Sequence, residues 1–359
     1  MSTFSEALER RLDSIHRQYD QHFAGQARVT RDPSILDSML AELSGLETEL
    51  ASATPGERAP LQERITERRA LYSNEAKAIR ETQQDPRALD THRVQSWVEI
   101  TRWRYQMFFA GQSRGSRDLA LLAEMTEDLA RAERDFADLS QTSGDAADVQ
   151  RSSVRDQLVV YGREREAIAQ ARSDASVESR ASGMAQLANS CFATYRGRFA
   201  GKSRLSRRPA LMERVVESLL VAETSLAGLV NSSEAPDNVE SNLNIIRTNL
   251  KQYRNELDAI RTAKTEASIG ALIEALANGA NELFAEYQEK FAGESRKTRD
   301  RDVLEQIIEG LYDIARQMDE LQRLGDLQAN TQNLRIVLDR LRIYLREDGL
   351  ILEAQKGND

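Results

Sequence analysis

Phe23-Ala24-Gly25 recurs three more times along the chain, and this repetition decides how the sequence is interpreted. The other copies are Phe109-Ala110-Gly111, Phe199-Ala200-Gly201 and Phe291-Ala292-Gly293. A tyrosine stands four residues before each Phe: Tyr19, Tyr105, Tyr195 and Tyr287. Arginines stand three and six residues after each Gly: Arg28 and Arg31, Arg114 and Arg117, Arg204 and Arg207, Arg296 and Arg299. Copies at such regular separations predict a tandem internal repeat.

The repeat divides the 359 residues into four units. We place them at residues 1–85, 86–175, 176–267 and 268–359. Units of this length can each bury a core of their own. The chain has only 6 Pro, and 30% of its residues are charged. This composition favours helices over strands, so the sequence predicts an all-α fold.

Apolar periodicity predicts three helices in each unit. The first has an apolar face spaced by three and four residues, as at Leu8, Leu12 and Ile15, and it ends at the Phe-Ala-Gly phrase. The Gly there takes a left-handed conformation that ends the helix. A second helix follows the residues Thr30, Ser116, Ser206 and Thr298. The third carries a Tyr with a Glu three residues later: Tyr72 and Glu75, Tyr161 and Glu164, Tyr253 and Glu256, Tyr344 and Glu347.

The junctions between units determine the architecture. Asp85-Pro86 favours a break at the first junction, whereas the other two junctions contain Ser and Gly but no Pro, which favours continuous or kinked helices. Continuous junctions would produce an elongated rod, and sharp reversals would produce a stack of the α-solenoid type. The arrangement resembles spectrin-type arrays of three-helix repeats, although the units here are shorter. This resemblance concerns architecture alone and implies no function.

Composition narrows the class of protein. A net charge of −9 argues against general nucleic-acid binding, because phosphate backbones attract basic surfaces. No apolar run approaches the length of a transmembrane span, and the N-terminal residues lack the apolar region of a signal peptide, so we expect neither feature. Cys191 is the only cysteine, so it cannot form a disulfide within the chain, and we expect it in the core. Arg far outnumbers Lys, which is typical of a GC-rich genome. We therefore expect a cytoplasmic, bacterial protein.

The eight arginines of the repeat are the best candidates for chemistry. Their guanidinium groups, next to the start of the second helix, have the elements of an anion site for carboxylate or phosphate. The structural alternative is that one Arg of each pair binds the carbonyl groups that end the first helix. The other would then pair with the third-helix Glu. Because every unit has the same helix end to stabilise, we favour the structural alternative.

Other residues suggest little chemistry. Asp13 and His16 form one carboxylate–histidine pair, too few ligands for a metal site. We find no phosphate-binding loop or other cofactor motif, and expect no cofactor. Trp97 and Trp103 form either a second packing face or an exposed contact for a partner.

Three classes of function are consistent with the sequence. The favoured one is a non-enzymatic scaffold or interaction protein that binds other proteins, including copies of itself as an oligomer or filament. The apolar segment 350–352 could receive such a copy. The first alternative is an anion- or phospho-ligand-binding module that uses the Arg loops. The second is an enzyme with an unrecognised carboxylate site.

Overall fold

A computed structural model of the chain describes residues 3–23, 28–52, 54–143, 145–325 and 327–356. The described residues form twelve α-helices and two short 3-10 helices, with no strand among them. The helices are α1 (Thr3–Phe23), α2 (Pro33–Leu50), α3 (Pro55–Gln84), α4 (Pro86–Phe109), α5 (Leu119–Ser143), α6 (Asp145–Asp174), α7 (Val177–Arg198), α8 (Pro209–Ala227), α9 (Val239–Glu266), α10 (Ile269–Phe291), α11 (Arg301–Gln322) and α12 (Gln328–Lys356). The all-α prediction is confirmed. In the described part of the chain, no helix is both long and apolar enough to cross a bilayer.

The chain forms two compact units, Met1–His92 and Arg93–Asp359. In the first, α1, α2 and α3 share one apolar core that includes Leu12, Leu43 and Ile65. In the second, α4 to α6 share a core around Phe136, and α7 to α9 share one around Leu219. A further core joins α10, α11 and α12. Neighbouring helices thus bury their apolar faces against one another, as the periodicity predicts.

Within Arg93–Asp359, a glycine follows the end of each helix that carries a Phe-Ala-Gly phrase. Gly111, Gly201 and Gly293 have φ of 75°, 74° and 80°, a left-handed conformation that glycine adopts without strain. Gly25 lies outside the described residues. The buried Phe of each phrase, by contrast, is described in all four copies and is at most 1% exposed.

The helix after each Phe-Ala-Gly phrase (α2, α5, α8 or α11) begins two residues later than the sequence predicts. Asp32, Asp118 and Asp300 are the capping residues, because their carboxylates accept hydrogen bonds from first-turn N–H groups at 2.8, 2.9 and 3.0 Å. The Ser116 hydroxyl instead donates to the Ser113 carbonyl oxygen, closing the preceding turn. The caps are therefore the carboxylates and not the hydroxyls.

The two junctions predicted to be continuous or kinked helices are broken. Ser176 caps α7 by accepting a hydrogen bond from the Ser179 N–H, and Ser268 does the same for the Ala271 N–H at the start of α10. Each serine satisfies N–H groups that a continuous helix would bond internally, so the chain can turn there. At the first junction, the Asp85 carboxylate accepts from the Arg87 N–H, so α4 also begins with its own cap.

Broken junctions allow helices distant in sequence to pack within Arg93–Asp359. Trp97 and Trp103 of α4 are 4% and 7% exposed and lie in the same core as α10, α11 and α12. The packing alternative for these tryptophans is confirmed. An end-to-end rod would hold α4 away from α11, so the elongated array is wrong for this unit. Within the apolar segment 350–352, Ile351 is fully buried in this core, whereas Leu350 and Leu352 are partly exposed.

Candidate functional site

We call the turn at each Phe-Ala-Gly phrase, together with the two arginines that follow it, a corner. Each corner packs on a pair of stacked tyrosines, one from the helix before the phrase and one from the third helix. The ring centroids are 5.1, 4.7, 4.1 and 4.0 Å apart for Tyr19 and Tyr72, Tyr105 and Tyr161, Tyr195 and Tyr253, and Tyr287 and Tyr344. Each such pair contributes roughly 0.5–1.5 kcal/mol beyond the area that it buries. The stacking fixes the third helix against the end of the first.

Both arginines of every corner hydrogen-bond the same third-helix glutamate. The sets are Arg28 and Arg31 with Glu75, Arg114 and Arg117 with Glu164, Arg204 and Arg207 with Glu256, and Arg296 and Arg299 with Glu347. The glutamate side chains are only 8–14% exposed. Two guanidinium groups on one buried carboxylate form a compact, charge-assisted cluster.

The second arginine of each pair also binds a backbone carbonyl of the corner. Arg31 Nη2 donates to the Phe23 oxygen at 3.1 Å, and Arg299 Nη2 donates to the Phe291 oxygen at 2.8 Å. Arg117 donates to the Gln112 oxygen at 2.8 Å. The Phe23 and Phe291 carbonyl groups lie at a helix end, where they have no partner within the helix, and the Gln112 carbonyl lies in the turn that follows α4. The arginine therefore stabilises the corner itself.

Arginine contacts favour the charged form of two corner glutamates, Glu75 and Glu256. The hydrogen bond from Arg28 holds the pKa of Glu75 below its ordinary value, and the bond from Arg204 does the same to the pKa of Glu256. The first arginine of each pair is half exposed, while the second is 12–17% exposed. An external anion at these corners would have to compete with a buried carboxylate already in place.

A second charged cluster, which we call the central network, lies inside Arg93–Asp359. Arg104 of α4 is fully buried and hydrogen-bonds Glu309 of α11 at 2.9 and 3.3 Å. Its guanidinium carbon lies 4.0 Å from the ring centroid of Tyr312. The Tyr312 hydroxyl oxygen lies 2.5 Å from an Asp128 carboxylate oxygen and 2.8 Å from a Glu124 carboxylate oxygen, so its single proton lies between two acceptors on α5. The network thus joins α4, α5 and α11.

Arginines of α7, α8 and α11 extend the central network. Arg208, at the cap of α8, donates to Glu124 at 2.6 Å, and Arg316 lies 2.9 Å from Asp128. Arg198 of α7 hydrogen-bonds Asp313. Burial alone would raise the pKa of Glu124, but Arg208 and Arg104 hold it well below its ordinary value. Burial prevails at Asp128 and raises its pKa despite Arg316.

The central network has no periodic signature in the sequence, although one residue signals it. Arg208 occupies the place where the other units have a capping Asp, and this departure marks a residue with a different role. The partners lie 84 and 105 residues away in the chain, so no periodic pattern connects them.

A cavity of about 830 Å³ adjoins the central network. Its walls come from the corner after α4 and from α5, α7, α8 and α11. Among the predicted corner residues, the first and second arginines of all four pairs lie outside its lining. Cys191 does line the cavity, and burial raises the pKa of its thiol to about 12, so the thiol is protonated and a poor nucleophile.

Two charged side chains of the cavity stand out. Arg214 of α8 is 11% exposed, and its nearest acidic atom is Glu124 Oε2, 3.4 Å from Nε. Its Nε makes no hydrogen bond. Glu305 of α11 is 22% exposed and lies 3.7 Å from Arg301, which already hydrogen-bonds Asp348. Burial raises the pKa of Glu305 to about 7.

Across the residues that the structure describes, no group of three or more His, Cys, Asp or Glu side chains is placed to hold a metal ion. Comparison with protein-family models, with curated proteins and with solved structures finds no match to this chain.

Proposed function

We propose that the chain is a non-enzymatic helical scaffold, an interaction protein that presents fixed surfaces to other proteins and to copies of itself. We further propose that it consists of four three-helix repeats, residues 1–85, 86–175, 176–267 and 268–359. The recurrence of the same aromatic and Arg–Glu contacts in the four corners supports this division. So does the grouping of buried residues into cores drawn from three consecutive helices.

One observation carries the scaffold proposal: the charged groups best suited to chemistry are occupied in structural contacts. The corner arginines bind Glu75 and its counterparts, and the central network joins helices of three repeats. We infer that these buried ion pairs select one arrangement of helices, a role that such pairs have in some proteins even where they add little net stability. A chain whose helices are fixed in this way offers rigid surfaces, which is the property that a scaffold requires.

The anion-binding alternative has less support. In each corner the half-exposed first arginine already donates two hydrogen bonds to a glutamate, as Arg296 does to Glu347 at 2.8 and 3.0 Å. A phosphate ligand would break these bonds or share the same guanidinium. The alternative therefore predicts binding that is weak and strongly dependent on salt.

Co-purification from the native host tests the scaffold proposal. Tagged full-length chain is compared with a variant in which Arg28, Arg114, Arg204 and Arg296 are changed to Gln. We expect a protein partner in stoichiometric amount with both chains, or concentration-dependent self-association in sedimentation velocity. Partner loss in the variant alone would favour the anion-binding module. A strict monomer that recovers no stoichiometric partner would contradict the scaffold.

A further inference from the structure

The cavity beside the central network has no role in the scaffold proposal. It lies entirely within Arg93–Asp359, where three sets of helices meet. Its volume of about 830 Å³ falls in the range of small-molecule sites, roughly 300–1,000 Å³. Polar and apolar side chains both line it, as in sites that orient an organic ligand.

Arg214 is ion-paired with Glu124 at 3.4 Å, but its Nε–H makes no hydrogen bond. Its only acidic neighbour, Glu124, already accepts hydrogen bonds from Arg208 at 2.6 Å and Arg104 at 3.3 Å, and it lies 2.8 Å from the Tyr312 hydroxyl oxygen. Arg214 approaches the other oxygen of this carboxylate without forming a hydrogen bond. Because a buried N–H group without an acceptor is costly and the one nearby carboxylate is already shared among several donors, a further anion at Arg214 would be stabilised.

The acidic residues that α11 contributes to the lining limit the charge that the anion can carry. Asp302, Glu305 and Glu309 line the cavity from α11. Glu309 is neutralised by Arg104 and Arg198, but Glu305 has no hydrogen-bonded cation and Asp302 lies near it. A phosphate monoester or polyphosphate would meet repulsion from this wall. A ligand with one negative charge and a positive or hydrogen-donating end fits both walls.

We propose that this cavity binds a small zwitterionic carboxylate. Its carboxylate pairs with the Arg214 guanidinium, and its ammonium or other donor group faces the Asp302 and Glu305 wall. The side chains of Leu187 and Val215, which also line the cavity, contact the apolar part of the ligand. The corner after α4 contributes Gln112, Ser113 and Ser116 to the wall, but no corner arginine lines the cavity, so the site is distinct from the anion site considered from the sequence.

Trialanine is a suitable probe because it is a zwitterion with an apolar middle. Trialanine amide, which lacks the carboxylate, is the matched control, and acetate and inorganic phosphate compare the two anion classes. The readout is the arginine Nε–H spectrum of the full-length protein, with the Arg214 signal identified by its loss in Arg214→Lys. We expect trialanine to shift this signal and to raise the melting temperature, and the amide to do neither.

Variants complete the test. Arg214→Gln is expected to abolish the melting-temperature shift, while Arg163→Gln, an exposed change on α6, leaves it intact. If Arg214→Gln does not fold, Arg214→Lys and the wild-type spectrum still decide the matter. The proposal is overturned if trialanine leaves the Arg214 signal unchanged, if the amide acts equally, or if phosphate acts more strongly than acetate.

Discussion

Replacing Arg104 by Met tests the central network. Arg104 is fully buried, and its guanidinium hydrogen-bonds Glu309 and Glu124 while lying over the Tyr312 ring. Methionine fills similar space but leaves Glu309 with Arg198 alone, 3.7 Å away. Removing one partner of a buried ion pair costs roughly 3–5 kcal/mol. Because Arg198 remains, we expect the lower end, about 3 kcal/mol of unfolding free energy.

Urea denaturation followed by tryptophan fluorescence measures this loss. The only two tryptophans, Trp97 and Trp103, belong to Arg93–Asp359, so the signal reports that unit. The double variant with Glu309→Gln should show a coupling energy of about 1–3 kcal/mol, because the two side chains share one contact. Arg163→Met, at an exposed site, should change stability by less than about 0.5 kcal/mol. A loss below about 1 kcal/mol for Arg104→Met, or no coupling, would refute this account of the network.

Three further predictions use the same fluorescence assay. Glu256→Gln should cost about 1–3 kcal/mol. The hydrogen bond from Arg204 makes the pKa of Glu256 lower in the folded protein than in the unfolded chain. The wild-type protein should therefore keep its full stability advantage over Glu256→Gln above the pKa of the unfolded chain, and lose it as pH falls through the pKa of the folded protein. An equal loss of unfolding free energy in the variant at all pH values would contradict this. Burial raises the pKa of Glu305 to about 7, so the stability of the wild-type protein should fall as pH rises from the ordinary pKa of a glutamate towards 7. Glu305→Gln should remove this pH dependence, and a pH dependence unchanged in the variant would show that Glu305 is not its source. Gly201→Ala should cost about 1–2 kcal/mol through its positive φ, whereas Gly162→Ala, in open space on α6, should be neutral or stabilising; equal effects would count against the left-handed corner.

Local features of the fold could be predicted from the sequence because they repeat. The helices, the buried Phe of each phrase and the left-handed Gly201 follow from apolar spacing and from the chemistry of helix ends. Capping was predicted less well, since Thr298 and Asp300 both suit a helix start, and only the geometry of the first turn favours the carboxylate.

Contacts between distant helices could not be predicted in the same way. Tyr312, Asp313 and Arg316 lie on a face of α11 that, in sequence, has the polar character of a solvated surface. The corresponding face of α2, with Ser44 and Thr48, is indeed exposed. The two faces differ only in the long-range partners that they meet, and the sequence gives no spacing rule for such partners. The cavity depends on the same contacts and was equally hidden.

Hydrogen–deuterium exchange of the full chain, with and without Arg104→Met, tests most directly whether the central network fixes the helices of Arg93–Asp359 as one body. Our account predicts that the variant loses protection together in α4, α5, α8 and α11, because their buried charges share one set of contacts. Loss of protection confined to α4, with α5, α8 and α11 unchanged, would contradict it.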